Sequence, residues 1–395
     1  MKKEKKMKKF IPLSVPNLKG NERNYVTDAI EKEWVSTAGS YINKFEEEIA
    51  KYLRVDKAVA CQSGTAGLHL ALLVSGVERD TEVIVPTLTF IAAVNPVKYI
   101  GAYPIFVDCN DDLTLDEDKL EMFCERECEF INGILFNKET KRSIRAIVVV
   151  HVFGNAANME SIMKIAHKYG LKVIEDATEA LGSYYIEGIY KDKFLGTIGD
   201  IGVYSFNGNK IITTGGGGMV VAKDLRLLEK IKYLSTQAKD DELSYEHHEI
   251  GYNYRMTNLQ AAVGVAQLEQ LETFIRTKKI NYELYKELLQ DVEGIEILPF
   301  VTNIRSNYWF YSAVITDDRN IKRDNIIKKL AEVNIQTRPI WGLIHQQKPY
   351  QSDYAYKIEK AIKYHQKVFN LPCSSNLTQL DVREIVEAIK NIVKG

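Results

Sequence analysis

The chain has 395 residues, 45% of them hydrophobic and 27% charged, with 24 Gly and 9 Pro. That composition provides for at least one full core and excludes collagen-like, disordered and mini-protein classes. Fifty-two Lys and Arg against 53 Asp and Glu leave a formal net charge of −1, so no global field holds a nucleic acid backbone and any anionic ligand must meet local positive groups.

In chain order, MKKEKKMKKF reads as a solvated Lys-rich tail, and residues 1–30 as an N-terminal arm. Residues 31–260 read as a large α/β domain. Between Lys57 and Ala222 short β-branched runs alternate with helical patterns, the signature of a parallel sheet built from βαβ units. The runs are AVAC (58–61), EVIVP (82–86), PIFVDC (104–109), IRAIVVVHVFG (144–154), LKVIEDA (171–177), IGVYSFN (201–207) and GMVVA (218–222), seven strands in all. Asp116 to Lys141 is polar and mixed and reads as surface decoration. After Met256 a long helical stretch, TNLQAAVGVAQLEQLETFIRTKKINYELYKELLQD, precedes strand-like EGIEILPF and NYWFYSAVIT and further helices, so residues 261–395 read as a smaller α+β domain. The five cysteines form neither a disulfide framework nor a zinc set and read as reduced thiols of a cytoplasmic protein. No apolar run approaches the ~18 residues of a membrane span, and no metal set emerges, because the adjacent His247 and His248 lack a third ligand at suitable spacing.

In open α/β sheets ligands bind outside the carboxyl ends of the strands, which ranks the motifs found there. In CQSGTAGLHLAL a strand ends at Cys61 and a helix starts near Ala66. Ser63, Gly64 and Thr65 then expose N–H groups where the helix dipole favours a phosphate, although an ordinary N-cap fits as well. LKVIEDATEALGS sets Glu175 and Asp176 at the end of a buried strand, where a carboxylate needs a partner such as a protonated ring nitrogen, or else caps a helix. YSFNGNKIITTGGGGMVV places Lys210 among Ser205, Asn207 and Asn209. A confined lysine of lowered pKa forms a Schiff base with a carbonyl, whereas surface lysines are far commoner. Phosphate cup, carboxylate and lysine at successive strand ends are the parts that pyridoxal phosphate demands, and PTLTFIAAVN adds Phe90 as a plate for its ring or as core packing.

These motifs, with WVSTAGSYINKFEEEIAKYL, VVHVFGNAANM, GYNYRMTNLQAAVGVAQLEQLE, RPIWGLIHQQKPY and LPCSSNLT, resemble the DegT/DnrJ/StrS family of nucleotide-sugar aminotransferases over nearly the whole chain. The resemblance implies a type I pyridoxal phosphate fold: a large, seven-stranded, mostly parallel mixed sheet and a smaller α+β C-terminal domain. It implies Lys210 as the lysine that bonds the cofactor and moves the proton, and Asp176 as the partner of the ring nitrogen. Thr65, Ala66 and Ser205 would hold the phosphate and Phe90 would stack on the ring. Asn253 would reach the phosphate of a neighbouring subunit, so that a homodimer shares its active sites.

Two positions depart from the commonest pattern: Glu179 stands where many members carry Gln or His near the cofactor hydroxyl, and TTGGGG replaces TTGEGG. With RPIWGLIH and the inserted NGILFNKETKRSIRA they are similar to the subgroup that aminates UDP-4-keto sugars for legionaminic acid and related pathways. The implied reaction moves an amino group from L-glutamate to carbon 4 of a UDP-linked 4-keto-6-deoxy-N-acetylhexosamine, with Asn209, Arg255 and His345 as substrate contacts. Arg255 also fits a structural ion pair, and His345 a surface loop. A GDP-linked 4-keto-6-deoxymannose acceptor, giving perosamine, is the nearest alternative, and a regulatory protein that keeps the cofactor without transaminating is another. An NAD-dependent enzyme is disfavoured because no G-x-G-x-x-G follows an early strand.

Overall fold

The computed structural model describes residues 9–241, 243–317 and 322–394. Its elements begin with helices α1 (Glu22–Glu31), α2 (Ser40–Leu53) and α3 (Gly64–Val74) and strands β1 (Val59–Cys61), β2 (Glu82–Pro86), β3 (Tyr103–Val107), β4 (Cys128–Ile131), β5 (Ile134–Asn137), β6 (Ser143–Val150) and β7 (Lys172–Asp176). They continue with β8 (Tyr184–Tyr185), β9 (Ile201–Ser205), β10 (Gly218–Ala222), β11 (Ile295–Ile297), β12 (Ile304–Arg305), β13 (Tyr311–Ile315), β14 (Arg338–Pro339), β15 (Ala355–Tyr356) and β16 (Val368–Leu371).

All seven strands expected from the sequence join one sheet in the order β1-β10-β9-β7-β6-β2-β3, and β15 extends its edge. The neighbours β9, β7, β6, β2 and β3 run parallel, and β10 is antiparallel to both β1 and β9. The central strands are largely apolar because helices cover both faces, leaving most of their side chains no solvent side. Register does the rest: Cys61 and Ser205 both pair with Gly218, while Asp176 pairs with Val150 and Val203. The carboxyl ends of β1, β6, β7 and β9 therefore share one edge with the start of β10.

Three expectations change. The segment from Asp116 to Lys141 does more than decorate the surface: after a helix at Glu117–Arg126, the β4–β5 hairpin joins the sheet, with β5 antiparallel to the start of β6. Its alternation was obscured because Phe130 and Ile131 are each 48% exposed. The long helix breaks in two, Asn258–Leu268 and Leu271–Leu289. The break is pinned by α1, whose Glu22 Oε1 accepts hydrogen bonds from Gln267 Nε2 (2.6 Å) and Gln270 Nε2 (2.9 Å). Finally, Asn307–Phe310 leave the strand pattern, since Asn307 Nδ2 donates to the carbonyls of Glu179 (2.8 Å) and Leu181 (2.9 Å) and draws the segment onto the large domain.

The C-terminal part forms an antiparallel sheet, β11-β13-β16-β14, flanked by helices Leu271–Leu289, Arg323–Glu332 and Gln379–Lys394. All five cysteines are buried and unpaired, and no helix among the described residues is long and apolar enough to cross a membrane.

One glycine shows how tightly strand ends and helix start are joined. A Cβ on Gly218 would stand 2.7 Å from the carbonyl carbon and oxygen of Ser63, backbone that opens α3. Gly218→Ala is expected to destabilise the fold by about 1–3 kcal/mol, read as a lower urea midpoint. Gly216→Ala, whose Cβ meets nothing nearer than Gln260 Nε2 at 3.8 Å, is expected to leave the midpoint unchanged.

Candidate active site

At the shared edge lies a cleft of about 360 Å³ lined by Thr65, Phe90, Asp176, Glu179, Ser205, Asn209 and Lys210. Seven residues singled out from the sequence thus meet in one place, although they span 146 positions from Thr65 to Lys210. Each is delivered by a strand end or the turn that follows it.

The anion-accepting end is the start of α3. Ser63 caps the helix, its Oγ accepting the Ala66 N–H at 3.1 Å. That bond engages the Ala66 amide, and Ala66 is absent from the cleft wall. The N–H groups of Gly64 and Thr65, first and second in the helix, have no acceptor within it. Gly64 is demanded by space, since a Cβ there would meet Thr178 Cγ2 at 2.9 Å and Ser205 Cβ at 3.0 Å. Ser205 closes this end from β9.

The two adjacent carboxylates of β7 have different environments. Glu175 points away from the cleft and is fully buried: its oxygens meet His151 Nε2 (2.8 Å) and accept the N–H groups of Gly196, Ile198 and Gly199. Burial alone would raise its carboxyl, but His151 and these amides outweigh burial and hold it below the usual range. Asp176 lines the cleft, with the Thr178 N–H donating to Oδ1 at 3.1 Å. Burial pushes this carboxyl up, opposed by Thr178 and by the Lys210 charge. A buried acid so thinly partnered has room for a cationic N–H partner.

Lys210 Nζ lies 3.6 Å from Glu179 Oε1, with 12% of the lysine side chain exposed. Burial lowers its pKa, while Glu179 and Asp176 oppose the shift. Glu179 is pushed up to about 7 by burial, against the pull of Lys210 and of the Phe153 N–H that donates to Oε2 at 2.8 Å. Both groups are moved toward their neutral forms, which suits a pair that exchanges a proton. Phe90, 54% exposed, stands as a free aromatic plate at the cleft mouth.

Three expected contacts lie elsewhere in this chain. Arg255 is buried in an ion pair, Nη1 to Glu46 Oε1 at 2.5 Å, and Glu46 also accepts the Ala60 N–H at 2.8 Å. The guanidinium ties α2 to β1 and does not line the cleft, as its alternative reading as a structural pair anticipated. His345 lies behind the wall, its Nδ1 2.6 Å from Thr87 Oγ1. Asn253 is exposed, bridges to Thr236 by its backbone and is likewise absent from the lining. His247 Nδ1 meets the Gln237 carbonyl and His248 pairs with Asp240.

Among the lining residues not singled out from the sequence are Thr178, Trp309 and Trp341. Thr178 had a local signal, since a residue two beyond an aspartate commonly donates its N–H to that side chain. The tryptophans had none. Trp341 reaches the cleft because its loop docks on the β2 turn through Ile344 N–H to the Thr87 carbonyl, and its ring packs on Phe153 at 4.6 Å.

Buried carboxylate, enclosed lysine, helix start with unmatched amides and glycine cradle are the fittings of pyridoxal phosphate, and these residues fit it. When bound, that group supplies the electron sink that exchanging an amine for a carbonyl requires.

Comparison with known proteins agrees. Residues 16–390 match the model of the DegT/DnrJ/EryC1/StrS aminotransferase family. The chain is 35% identical over 391 residues to the putative pyridoxal phosphate-dependent aminotransferase EpsN of Bacillus subtilis, covering 98% of this chain and 96% of that one. It is 38% identical over 382 residues to a GDP-perosamine synthase of Escherichia coli O157:H7, covering 96% and 98%. Among solved structures, Helicobacter pylori PseC, an aminotransferase involved in the biosynthesis of pseudoaminic acid, superposes with a TM-score of 0.86 at 25% identity over 98% of this chain and 100% of that one.

Proposed function

The chain belongs to the DegT/DnrJ/EryC1/StrS aminotransferase family and is a pyridoxal phosphate-dependent sugar aminotransferase, and from that premise we propose that it moves the amino group of L-glutamate to carbon 4 of a nucleotide-linked 4-keto-6-deoxy sugar. The observation that carries this is the meeting of Lys210, Asp176 and Glu179 around one cleft. In this reading Lys210 moves the proton as base and then acid, and Asp176 keeps a ring nitrogen protonated. Gly64, Thr65 and Ser205 hold the phosphate, and Phe90 covers the ring.

For the nucleotide, the relative named GDP-perosamine synthase at 38% identity favours a GDP-linked 4-keto-6-deoxymannose. That places it ahead of the UDP-linked N-acetylhexosamine that the sequence motifs suggest. Lys210 is the sole cation among the described residues lining the cleft, so a diphosphate needs positive groups from outside this wall. A homodimer is the arrangement this reading implies, with the neighbouring copy bringing Asn253 as a neutral hydrogen-bonding group and supplying any further cation.

The test supplies both acceptors side by side with L-glutamate and follows release of 2-oxoglutarate. A higher kcat/KM with the GDP-linked sugar supports the proposal, and the reverse preference restores the UDP reading. Glutamate consumed with neither acceptor aminated would sink the acceptor class, and glutamate left intact would favour a regulatory binding protein.

A further inference from the structure

Trp309 is buried at 3% exposure, and Lys210 Nζ sits 4.1 Å from the centroid of its ring. The ring is fixed independently of the lysine. Its Nε1–H donates to the Asn209 carbonyl at 2.8 Å, its edge meets Phe310 at 4.3 Å and 83°, and its backbone N–H donates to Asn307 Oδ1 at 3.0 Å. Asn307 is fully buried and its amide nitrogen holds the carbonyls of Glu179 and Leu181. Gly154, at φ +86°, makes room for it, since a Cβ there would stand 2.0 Å from Asn307 Oδ1. One strap from the C-terminal half thus fixes both the turn that carries Glu179 and the indole that faces Lys210.

We propose that Trp309 is a positioning residue for Lys210: its indole face is the seat of the free lysine ammonium, holding the cation charged and beside Glu179 and Asp176. The inference rests on Lys210 being the reactive lysine of the proposed function. The charged groups that face Lys210 are Glu179, at 3.6 Å, and Asp176. Burial drives both carboxyls toward their neutral forms, Glu179 to about 7, so their hold on the cation weakens as they gain protons. The electron-rich face of an indole has no proton to gain and attracts an ammonium at every pH. A lysine that shuttles a proton between two positions needs such a fixed point.

The test uses the full-length protein freed of cofactor and follows the pH at which Lys210 becomes open to reductive methylation, read by mass spectrometry of its peptide. Loss of the aromatic face disfavours the ammonium, so the amine becomes reactive at lower pH. The onset is expected to fall by about one pH unit in Trp309→Leu and by less in Trp309→Phe, which keeps a weaker aromatic face. An unchanged onset in a folded Trp309→Leu protein, or equal shifts in the two variants, would overturn the proposal. Should Trp309→Leu fail to fold, Trp309→Phe decides alone: a downward shift supports the proposal and no shift overturns it. A Lys210→Met protein that still develops the visible band of bound cofactor defeats the site assignment instead and leaves the methylation result standing.

Discussion

Lys210→Met is expected to abolish the visible absorption band that pyridoxal phosphate gives when joined to a lysine, and to lower turnover by about 10⁴-fold, the upper range for a positioned acid–base group. The argument is geometric. Lys210 is the sole cation on the cleft wall among the described residues, and it stands between the two carboxylates and the indole that face it. Methionine fills similar volume and leaves the surrounding hydrogen bonds intact, because Glu179 keeps the Phe153 N–H and Asp176 keeps the Thr178 N–H. A protein with a native far-ultraviolet spectrum and no visible band would therefore report lost chemistry and not lost fold. A retained band would transfer the role to another lysine. Lys278 is buried too, but it donates to the Cys373 carbonyl inside the C-terminal part and has no path to this cleft.

The sequence made the large sheet legible because buried parallel strands are short, apolar and separated by helical patterns, and all seven join one sheet, whose order and antiparallel β10 were not read. Strand ends were legible for the same reason, and with them Thr65, Asp176, Ser205 and Lys210. What escaped was decided by distant partners. Nothing near Trp309 tells that Asn307 will bond to the Glu179 turn 128 residues away, nor does the helix before Leu271 disclose that Glu22 pins its break. Arg255 looked available because arginine suits a diphosphate, yet its partner Glu46 lies 209 positions earlier and takes it into the interior. The two carboxylates of LKVIEDA show the limit most clearly. Adjacent in a strand, they point to opposite faces, and only the fold tells that Glu175 binds the Gly196–Gly199 loop while Asp176 faces the cleft.

That division sets the second large effect. Asp176→Asn keeps the size of the side chain, and its amide oxygen still accepts the Thr178 N–H, so the β7 turn has no reason to move. The change removes one negative charge from a buried site. Removing one partner of a buried charge pair costs about 3–5 kcal/mol, which corresponds to roughly a hundred- to several-thousandfold in turnover. The loss should fall on kcat more than on KM, since Asp176 lines the cleft beside Lys210, where the chemistry of the proposed function takes place. Glu175→Gln offers the contrast: it strips charge from the bonds to His151 and the Gly196–Gly199 amides, so its damage should appear as a lower melting temperature. Near-normal turnover in Asp176→Asn would show that the electron sink works without a carboxylate behind it. Turnover lost in Asp176→Asn at unchanged melting temperature, with the reverse pattern in Glu175→Gln, would assign chemistry to one neighbour and architecture to the other.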